Sequence, residues 1–515
     1  MKNYLKSIAK FGIVIFSLLF ISLKSYGQTT EYVGNWSDFI LGYGTIVDSA
    51  GVNIYLTGDI SNANSLAIGA PASGLINILG DAGLKTISGM NGSTRYGGFT
   101  FTSKSGSFEN IKLTNFYIVS GGAIYLSAAS IFEFRENITF FSNTATNGGA
   151  IYAATASSIN FNTSIVNFSS NTATTNGGAI YASYSIINFN NSTVSFTSNI
   201  VSGNYSGGAI YATYSSINFN DSMVSFTSNN AYNSGTIYAS ASTINFNNST
   251  ISFIYNKNRS SYGGTIYTLT GTIINFNNSS VSFIRNTGTN YAGAIYALSA
   301  SSINFNDSIV NFTSNTAATT TGGAIVASAS TINFNNSTIS FIRNTAITYG
   351  GAMYATVSII NFENSIVNFS SNKAATYGGA IHALTRALIN FNNSTINFST
   401  NIAGTYGGAI AVSAATVSFT NSMVSFTSNV AVTSGGAIYA AAASTVSINA
   451  FGRFAYNIAR GNKGGAVYLT SAALIIQAGG GVLEFSSNTA VGYGLNDIYI
   501  EYGSLLALIV PEQAG

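Results

Sequence analysis

Cysteine is absent from this 515-residue chain, and charged residues make up only 6% of it. Without cysteine the chain has no disulfides, no thiolate metal sites and no lipid attachment at an N-terminal cysteine. Histidine and tryptophan occur once each and proline twice. Disordered chains usually contain more charge and fewer aromatic residues, whereas this chain has 35 Phe and 31 Tyr. The composition therefore predicts a folded protein that is held together by burial and hydrogen bonding.

Residues 1–27 are predicted to be a secretory signal peptide. A lysine-containing start is followed by a mostly apolar run from Phe11 to Leu23, and Ser25-Tyr26-Gly27 offers small residues for cleavage. The apolar run is shorter than the roughly 20 residues of a membrane-spanning helix. Four of the 18 basic residues precede residue 28, so the rest of the chain has 14 basic and 15 acidic residues. The formal charge of +3 therefore gives no argument for nucleic acid as a partner.

From about residue 120 to 490 the sequence repeats a unit of roughly 29 residues. One copy reads Thr331 to Asn344 and then Gly350-Gly351-Ala352-Met353-Tyr354. Three short alternating runs are separated by Asn, Ser and Gly clusters, which is the pattern of strands and turns. Strands this short cannot bury an apolar face alone, so each copy needs neighbours above and below. The repeat predicts an all-β fold, a right-handed parallel β-helix of about 13 coils, with the hand taken from the usual right-handed crossover.

Apolar residues recur at the same repeat positions and predict an inward register. Stacked aromatic side chains about 4.8 Å apart are typical of parallel coils in register. One Phe column comprises Phe161, Phe189, Phe219, Phe246, Phe276, Phe305, Phe334, Phe362, Phe391 and Phe419. In the third run an aliphatic residue or Met follows Gly-Gly-Ala and is expected to point inward. The next residue, usually Tyr but Val326, His382 or Ala411 in three copies, is expected to point outward. His382 is interpreted as a solvated substitution.

The chain is divided into four parts. Residues 1–27 form the signal peptide. Residues 28–120 are less regular and are expected to form a cap, with Trp36 as a candidate member, and atypical first coils. Residues 121–500 form the repeat domain, with a degenerate last copy at 494–499, and residues 501–515 form a tail.

The two repeated tetrapeptides carry a family resemblance. Phe-x-x-Asn occurs thirteen times at one repeat position, from Phe140/Asn143 to Phe485/Asn488, and alternates with Gly-Gly-Ala-Ile. This pattern resembles the repeat of the polymorphic outer membrane proteins, which are autotransporters with β-helical passenger domains. The resemblance implies an exported protein at the outer membrane, at the cell surface or outside the cell, with a role as an adhesin or surface antigen. It also implies that adhesion maps onto the Phe-x-x-Asn and Gly-Gly-Ala-Ile columns.

The sequence differs from that family in the part where a membrane anchor is expected. Autotransporters end in a membrane barrel of strands of about ten residues, and only 16 residues follow Tyr499. A separate outer-membrane anchor, release from the cell or a truncated chain are therefore the expectations that stay open.

An enzymatic function is not predicted, although some β-helices degrade polysaccharides. Such sites need clustered carboxylates. Between residues 121 and 470 the carboxylates are Glu133, Glu136, Asp221, Asp307 and Glu363. Asp221 and Asp307 are expected three coils apart, about 14 Å, and Glu133 and Glu136 flank Arg135. No cofactor or metal site is predicted. A polysaccharide-degrading enzyme and a purely structural envelope or matrix protein remain the alternatives.

A candidate ligand-contact stripe lies between Phe-x-x-Asn and Gly-Gly. Aromatic side chains suit sugar rings, and Arg or Lys suits sulfate, phosphate or carboxylate groups. We therefore expect a contact surface for a host or neighbouring cell, with glycans as candidate ligands. The alternative is that the tyrosines pack over the turn and the charges keep the protein soluble. The stripe comprises Lys257, Arg259, Tyr262, Arg285, Tyr291, Arg343, Tyr349, Lys373, Tyr377 and Tyr406.

Overall fold

A computed structural model describes residues 29–33, 52–56, 59, 66–68, 75–80, 83–91, 94–95, 97–259, 262–461, 463–477, 482–491 and 494–509. The predicted signal peptide and Trp36 lie outside these residues. The described chain is all-β, without a helix, and its parallel sheets stack as a β-solenoid of about 15 turns with roughly 28 residues per turn. The predicted solenoid of short strands is therefore confirmed.

One coil contains four strands. In the copy quoted above these are a first strand Thr331–Asn335, a second strand Thr338–Ile342, a two-residue strand Thr345–Ala346 and an Ile-Tyr strand Met353–Thr356. The sequence predicts three of them. The two-residue strand is too short for an alternating pattern, so only its pairing with the coils above and below identifies it.

First and second strands belong to one sheet of 28 strands. Its members are Thr29–Val33, Val52–Leu56, Leu75–Gly80, Lys85–Ser88, Ser105–Thr114, Ile131–Phe141, Ser158–Ser169, Ile186–Asn190, Thr193–Thr197, Ser216–Asn220, Met223–Thr227, Thr243–Asn247, Thr250–Ile254, Ile273–Asn277, Ser280–Ile284, Ser302–Asn306, Ile309–Thr313, Thr331–Asn335, Thr338–Ile342, Ile359–Glu363, Ile366–Ser370, Leu388–Asn392, Thr395–Ser399, Thr416–Thr427, Thr445–Ala455, Ala473–Gln477, Leu483–Ser486 and Leu505–Ile509. The last strand lies within residues 501–515, which were expected to form a tail, and pairs with Ala473–Gln477.

The two-residue strands form a sheet of 15 strands, of which the first two strands are four residues long. These are Tyr117–Ser120, Thr144–Asn147, Thr172–Ala173, Ile200–Val201, Asn230–Ala231, Lys257–Asn258, Thr287–Gly288, Thr316–Ala317, Thr345–Ala346, Lys373–Ala374, Ile402–Ala403, Val430–Ala431, Ile458–Ala459, Thr489–Ala490 and Gly494–Leu495. All pair in parallel except the last, which runs antiparallel to Thr489–Ala490.

The Ile-Tyr strands form a sheet of 16 strands. They are Leu66–Ile68, Phe99–Thr102, Ile124–Ser127, Ile151–Ala154, Ile180–Ser183, Ile210–Thr213, Ile237–Ser240, Ile266–Leu269, Ile295–Leu298, Ile325–Ser328, Met353–Thr356, Ile381–Leu384, Ile410–Ser413, Ile438–Ala441, Val467–Thr470 and Ile498–Ile500. The degenerate last copy predicted at 494–499 thus supplies a strand of this ladder. A separate antiparallel pair joins Met90–Asn91 to Thr94–Arg95.

The core is one continuous column of apolar side chains that extends from Ile76 to Leu474. Phe276 stacks on Phe305 with ring centroids 4.7 Å apart and planes 3° apart, and both rings are fully buried. The inward assignment of the Phe columns is therefore confirmed. Because each ring lies between the rings of two neighbouring coils, the coils have to stay in register.

The Gly-Gly pair is required where the chain enters the Ile-Tyr strand. Gly350 has a φ of +60°, which glycine adopts without a Cβ clash. A Cβ on Gly351 would lie 2.1 Å from the carbonyl oxygen of Gly379 in the next coil. The first glycine therefore makes the turn, and the second allows close approach of adjacent coils.

Candidate functional site

The Asn of Phe-x-x-Asn forms a buried ladder along the solenoid. Asn286 Nδ2 donates to the carbonyl of Phe253 (2.9 Å) and to Asn315 Oδ1 (3.0 Å). Its Oδ1 accepts from the backbone N and from Nδ2 of Asn256, both at 3.0 Å. This Asn ladder comprises Asn143, Asn171, Asn199, Asn229, Asn256, Asn286, Asn315, Asn344, Asn372, Asn401, Asn429, Asn457 and Asn488. Each side chain closes the corner between the second strand and the two-residue strand.

Burial corrects the role that the resemblance implied for the repeated motifs. The Phe rings of the Phe-x-x-Asn motifs from Phe140 to Phe454 and the whole Asn ladder are at most 1% exposed. The Ile that follows Gly-Gly-Ala is fully buried as well, as at Ile295 and Ile325. Side chains without exposed surface cannot contact a partner in the folded protein. The Phe, Asn and Ile side chains of the motifs therefore build the solenoid, and any contact surface has to come from exposed residues, among them the variable positions within Phe-x-x-Asn.

The five basic residues of the stripe lie on one edge, which we call the basic ridge (Lys257, Arg259, Arg285, Arg343 and Lys373). All five are exposed. Arg285 and Arg343 share one corner column, directly before the Asn ladder, with φ of 53° and 54°. Lys257 and Lys373 begin two-residue strands and are joined by successive parallel pairings through three intervening coils. At the strand spacing these two lysines are about 19 Å apart along the axis.

The basic ridge has no ion pair within the described part of the chain. The ion pairs there join Arg135 to Glu133, Arg453 to Glu484 and Lys463 to Glu501. Arg285 instead lies over the ring of Tyr255, 5.6 Å from its centroid, and donates to the Tyr255 hydroxyl. The ridge therefore presents positive charge that acidic side chains do not neutralise.

The five tyrosines of the stripe, which we call the tyrosine row (Tyr262, Tyr291, Tyr349, Tyr377 and Tyr406), lie at the other end of the same segment. Four of them occupy one ladder of parallel bridges, which also includes Thr321 and Ser434. Tyr377 stacks between Tyr349 (5.3 Å) and Tyr406 (5.4 Å). Because the stacked rings cover each other's faces, these tyrosines offer mainly ring edges and hydroxyls to a ligand.

The tyrosine row packs on the outward residues of the Ile-Tyr strands. Tyr291 lies 5.1 Å from Tyr296, and Tyr406 lies 4.6 Å from Tyr439. Burial raises the pKa of Tyr152 and Tyr439, two outward residues of these strands, to about 12. Among the described residues no cation–π contact joins the basic ridge to the tyrosine row. The structure thus divides the predicted stripe into a charged half and an aromatic half, and its role in binding stays a prediction.

The prediction that His382 is a solvated substitution is wrong. It is only 4% exposed, and Tyr349 (5.0 Å), Tyr354 (5.6 Å) and Tyr377 (5.6 Å) surround its ring. Burial lowers the pKa of the His382 imidazole to about 4. His382 points outward, as its strand position predicts, but tyrosines from neighbouring corners cover it. Strand alternation gives the direction of a side chain and does not reveal such cover.

The carboxylates lie on other parts of the surface. Asp221 and Asp307 occupy the corner between first and second strands, where they accept from Asn248 and Asn336 at 3.2 Å each. Glu133 pairs with Arg135, as expected. Within the described ranges no group of three or more His, Cys, Asp or Glu residues could hold a metal ion. No helix in that same part of the chain is long and apolar enough to span a membrane.

An exposed pair of tyrosines was missed by the sequence analysis. Tyr184 and Tyr214 lie in the corner between the Ile-Tyr strand and the first strand, 58% and 56% exposed, with stacked rings. In most coils the same corner position is alanine. The replacement of a small residue by Tyr in two successive copies was the available signal, and only a column-by-column comparison of the turns would have found it.

Comparison with protein families supports the resemblance. The model of the Chlamydia polymorphic membrane protein repeat matches residues 137–154, 165–183, 366–384 and 423–441. Each match begins near a second strand and ends in the following Ile-Tyr strand, and thus covers both repeated motifs. A search of curated proteins found no significant match. The similarity points to a surface-exposed β-helical protein at the outer membrane or cell surface. In its repeat, this chain is similar to the Chlamydia polymorphic membrane proteins.

Proposed function

We propose that the protein is an exported adhesin whose basic ridge binds acidic polymers on a host or neighbouring cell. The observation that carries this proposal is five exposed basic side chains on one edge, without an ion pair in the described residues. Unpaired Arg and Lys at a surface favour sulfate, phosphate or carboxylate groups. A polymer suits the site because the ridge is long and open, and a small ligand would contact only part of it.

The stacked coils support this function mechanically. A register fixed by Phe and Asn ladders holds Arg285 and Arg343 two coil spacings apart, about 9.5 Å. A polymer whose charges repeat at a similar distance could therefore bind several residues without reordering the backbone. Such preorganisation reduces the entropic cost of binding.

The experiment compares two triple variants of equal charge. In the first, Arg285, Arg343 and Lys373 become Ser, the residue that most copies have in the Arg285 column. In the matched control, Lys85, Lys112 and Arg386, which lie away from the ridge, become Ser. Binding to immobilised heparin and to dextran sulfate is measured at low and high salt, and circular dichroism checks the fold.

We expect the ridge variant to bind at least about tenfold more weakly at low salt, because it loses three charge-assisted contacts. The control should bind like the unchanged protein, and binding of both should fall as salt rises. Equal binding by both triple variants, with the fold intact, would contradict the proposal and favour a purely structural role.

A further inference from the structure

The corner between the Ile-Tyr strand and the first strand bears a small residue in most coils. Its last residue, directly before a buried Ser, Thr or Ala, has a positive φ in every coil from Ala129 to Ala443. Alanine suits this exposed turn sterically better than a bulky side chain does. The column comprises Ala129, Ala156, Tyr184, Tyr214, Ala241, Gly271, Ala300, Ala329, Val357, Arg386, Ala414 and Ala443.

Tyr184 and Tyr214 hold large rings in this strained, exposed position. Their φ values are 50° and 49°, in the left-handed region that bulky residues rarely adopt. The two rings stack with centroids 4.8 Å apart and planes 6° apart. Both side chains remain more than half exposed. The core does not need these rings, since alanine serves the same corner in most other coils.

The stack ends at Ala241 and leaves a space one coil high. Backbone hydrogen bonds from Tyr214 to Ser240 and from Ala241 to Leu269 keep the corners in register. The face of the Tyr214 ring that is turned away from Tyr184 is therefore next to the coil of Ala241. The corner residue of that coil has no ring to stack on it. At about 4.8 Å per coil, the missing level has the thickness of one ring. On the opposite side the corner Thr155–Ala156 is one residue longer and exposed, so the regular stacking position is interrupted there.

An open depression of ≈570 Å³ surrounds the pair and contains no charged residue. Ile186 lies beside Tyr184, Ser216 beside Tyr214, and Thr243 two residues beyond Ala241. The surface thus combines an aromatic face with hydroxyl groups. The residues lining it are Ala156, Tyr184, Ser185, Ile186, Tyr214, Ser215, Ser216, Ala241 and Thr243.

We infer that this depression is a binding site for a neutral sugar ring, which we call the Tyr214 seat (Tyr214, Ala241 and Thr243). A pyranose has an apolar face that packs on an aromatic ring and hydroxyls that bond to Ser and Thr. It fills one ring level over Ala241, and Thr243 reaches its hydroxyls. Tyr184 supports Tyr214 from behind. Acidic sugars do not suit the seat, because it lacks a cation. The site lies in a different corner from the basic ridge and goes beyond the proposed function.

Saturation-transfer NMR with four neutral hexasaccharides, built from β-1,4-glucose, α-1,4-glucose, β-1,4-mannose and β-1,4-N-acetylglucosamine, tests the inference on the full chain. One ring on one open face binds weakly, so we expect an affinity of about millimolar for at least one sugar. Tyr214→Ala should weaken binding at least tenfold. Ala241→Leu should do the same while both tyrosines remain, because the side chain fills the seat. The column accepts large residues elsewhere, such as Val357 and Arg386, so this variant should fold.

Tyr456→Ala is the matched control. Tyr456 is 53% exposed with a φ of 57°, but lies in the Asn-ladder corner, away from the seat. This variant should bind like the unchanged protein, and high salt should not weaken the binding, in contrast to the basic ridge. The inference is overturned if none of the four sugars receives saturation, or if folded Tyr214→Ala and Ala241→Leu bind as well as the Tyr456→Ala control. Neither result would bear on heparin binding by the ridge.

Discussion

Arg285 and Asn286 are neighbours in the chain, yet they belong to two different kinds of column. The Asn286 column is Asn in all thirteen coils, fully or almost fully buried, and each amide bonds to the next. The Arg285 column lies one residue earlier, is exposed or half-buried, and contains Ser, Thr, Tyr or Arg. A buried ladder residue has two partners in adjacent coils, so a change there disturbs several bonds at once. An exposed corner residue does not belong to such a ladder, so a change there does not disturb bonds to both adjacent coils.

The same contrast separates Phe276 from Ile273 on one strand. Phe276 is fully buried between two other rings, whereas Ile273 is 41% exposed and is replaced by Thr243 and Ser302 in the adjacent coils. Columns that keep one residue type are therefore buried and stabilise the solenoid. Variable, exposed columns mark where binding surfaces can differ between coils, as they do at the basic ridge and at the Tyr214 seat.

The largest expected effect is on the Phe column. Phe276→Ala should lower the free energy of unfolding by about 3–5 kcal/mol, because it leaves a cavity between rings that cannot collapse without losing register. Ile273→Thr, on the same strand, should change it by less than about 1 kcal/mol. Denaturant melts of both variants check this. A similar loss for the two variants would mean that the columns do not differ in their contribution to stability.

The Asn ladder should give the next largest effect. Asn286→Ala removes four side-chain hydrogen bonds and leaves the buried Asn256 backbone N and the Phe253 carbonyl without this partner. We expect a loss of about 2–3 kcal/mol. Arg285→Ser, one residue away, should stay within about 0.5 kcal/mol. Hydrogen exchange of the backbone amides around Asn256 should be faster in Asn286→Ala and unchanged in Arg285→Ser. Equal exchange rates of these amides in the two variants would contradict the role of the ladder.

The fold could be predicted largely from the spacing of Phe, Ile and Gly-Gly, because each motif returns at the same point of every coil. Two features could not. The strand Thr345–Ala346 is too short to show alternation. The burial of His382 depends on Tyr349 and Tyr377, which reach it from other corners. Local pattern gives the direction of a side chain, whereas exposure depends on what neighbouring coils place above it.

The candidate site was predictable only in part, for the same physical reason. The basic ridge was named from the sequence, and its five residues are exposed in the structure, two in one corner column and two at the start of two-residue strands. The tyrosine row was expected beside the charges or packed over the turn, and its rings pack on the outward residues of the Ile-Tyr strands. Tyr184 and Tyr214 went unnoticed because a single Tyr in a turn has no periodic signal. Their stacking appears only when successive coils are superimposed.

The smallest expected effect concerns the aromatic cover of His382. The pKa of its imidazole is lowered to about 4 by burial, below the ordinary value of 6.5, so the unfolded chain takes up the proton first as pH falls. Stability from this group is therefore complete above about pH 6.5 and declines as pH falls towards 4, amounting to about 1 kcal/mol between pH 7 and 5.5. His382→Tyr restores the residue usual in this column and should remove that decline. Melts of both proteins at pH 7 and 5.5 isolate the effect, because the carboxylates are common to both. If the two proteins lose the same stability on acidification, His382 is solvated, and the tyrosines do not form a cover over the Ile-Tyr strands.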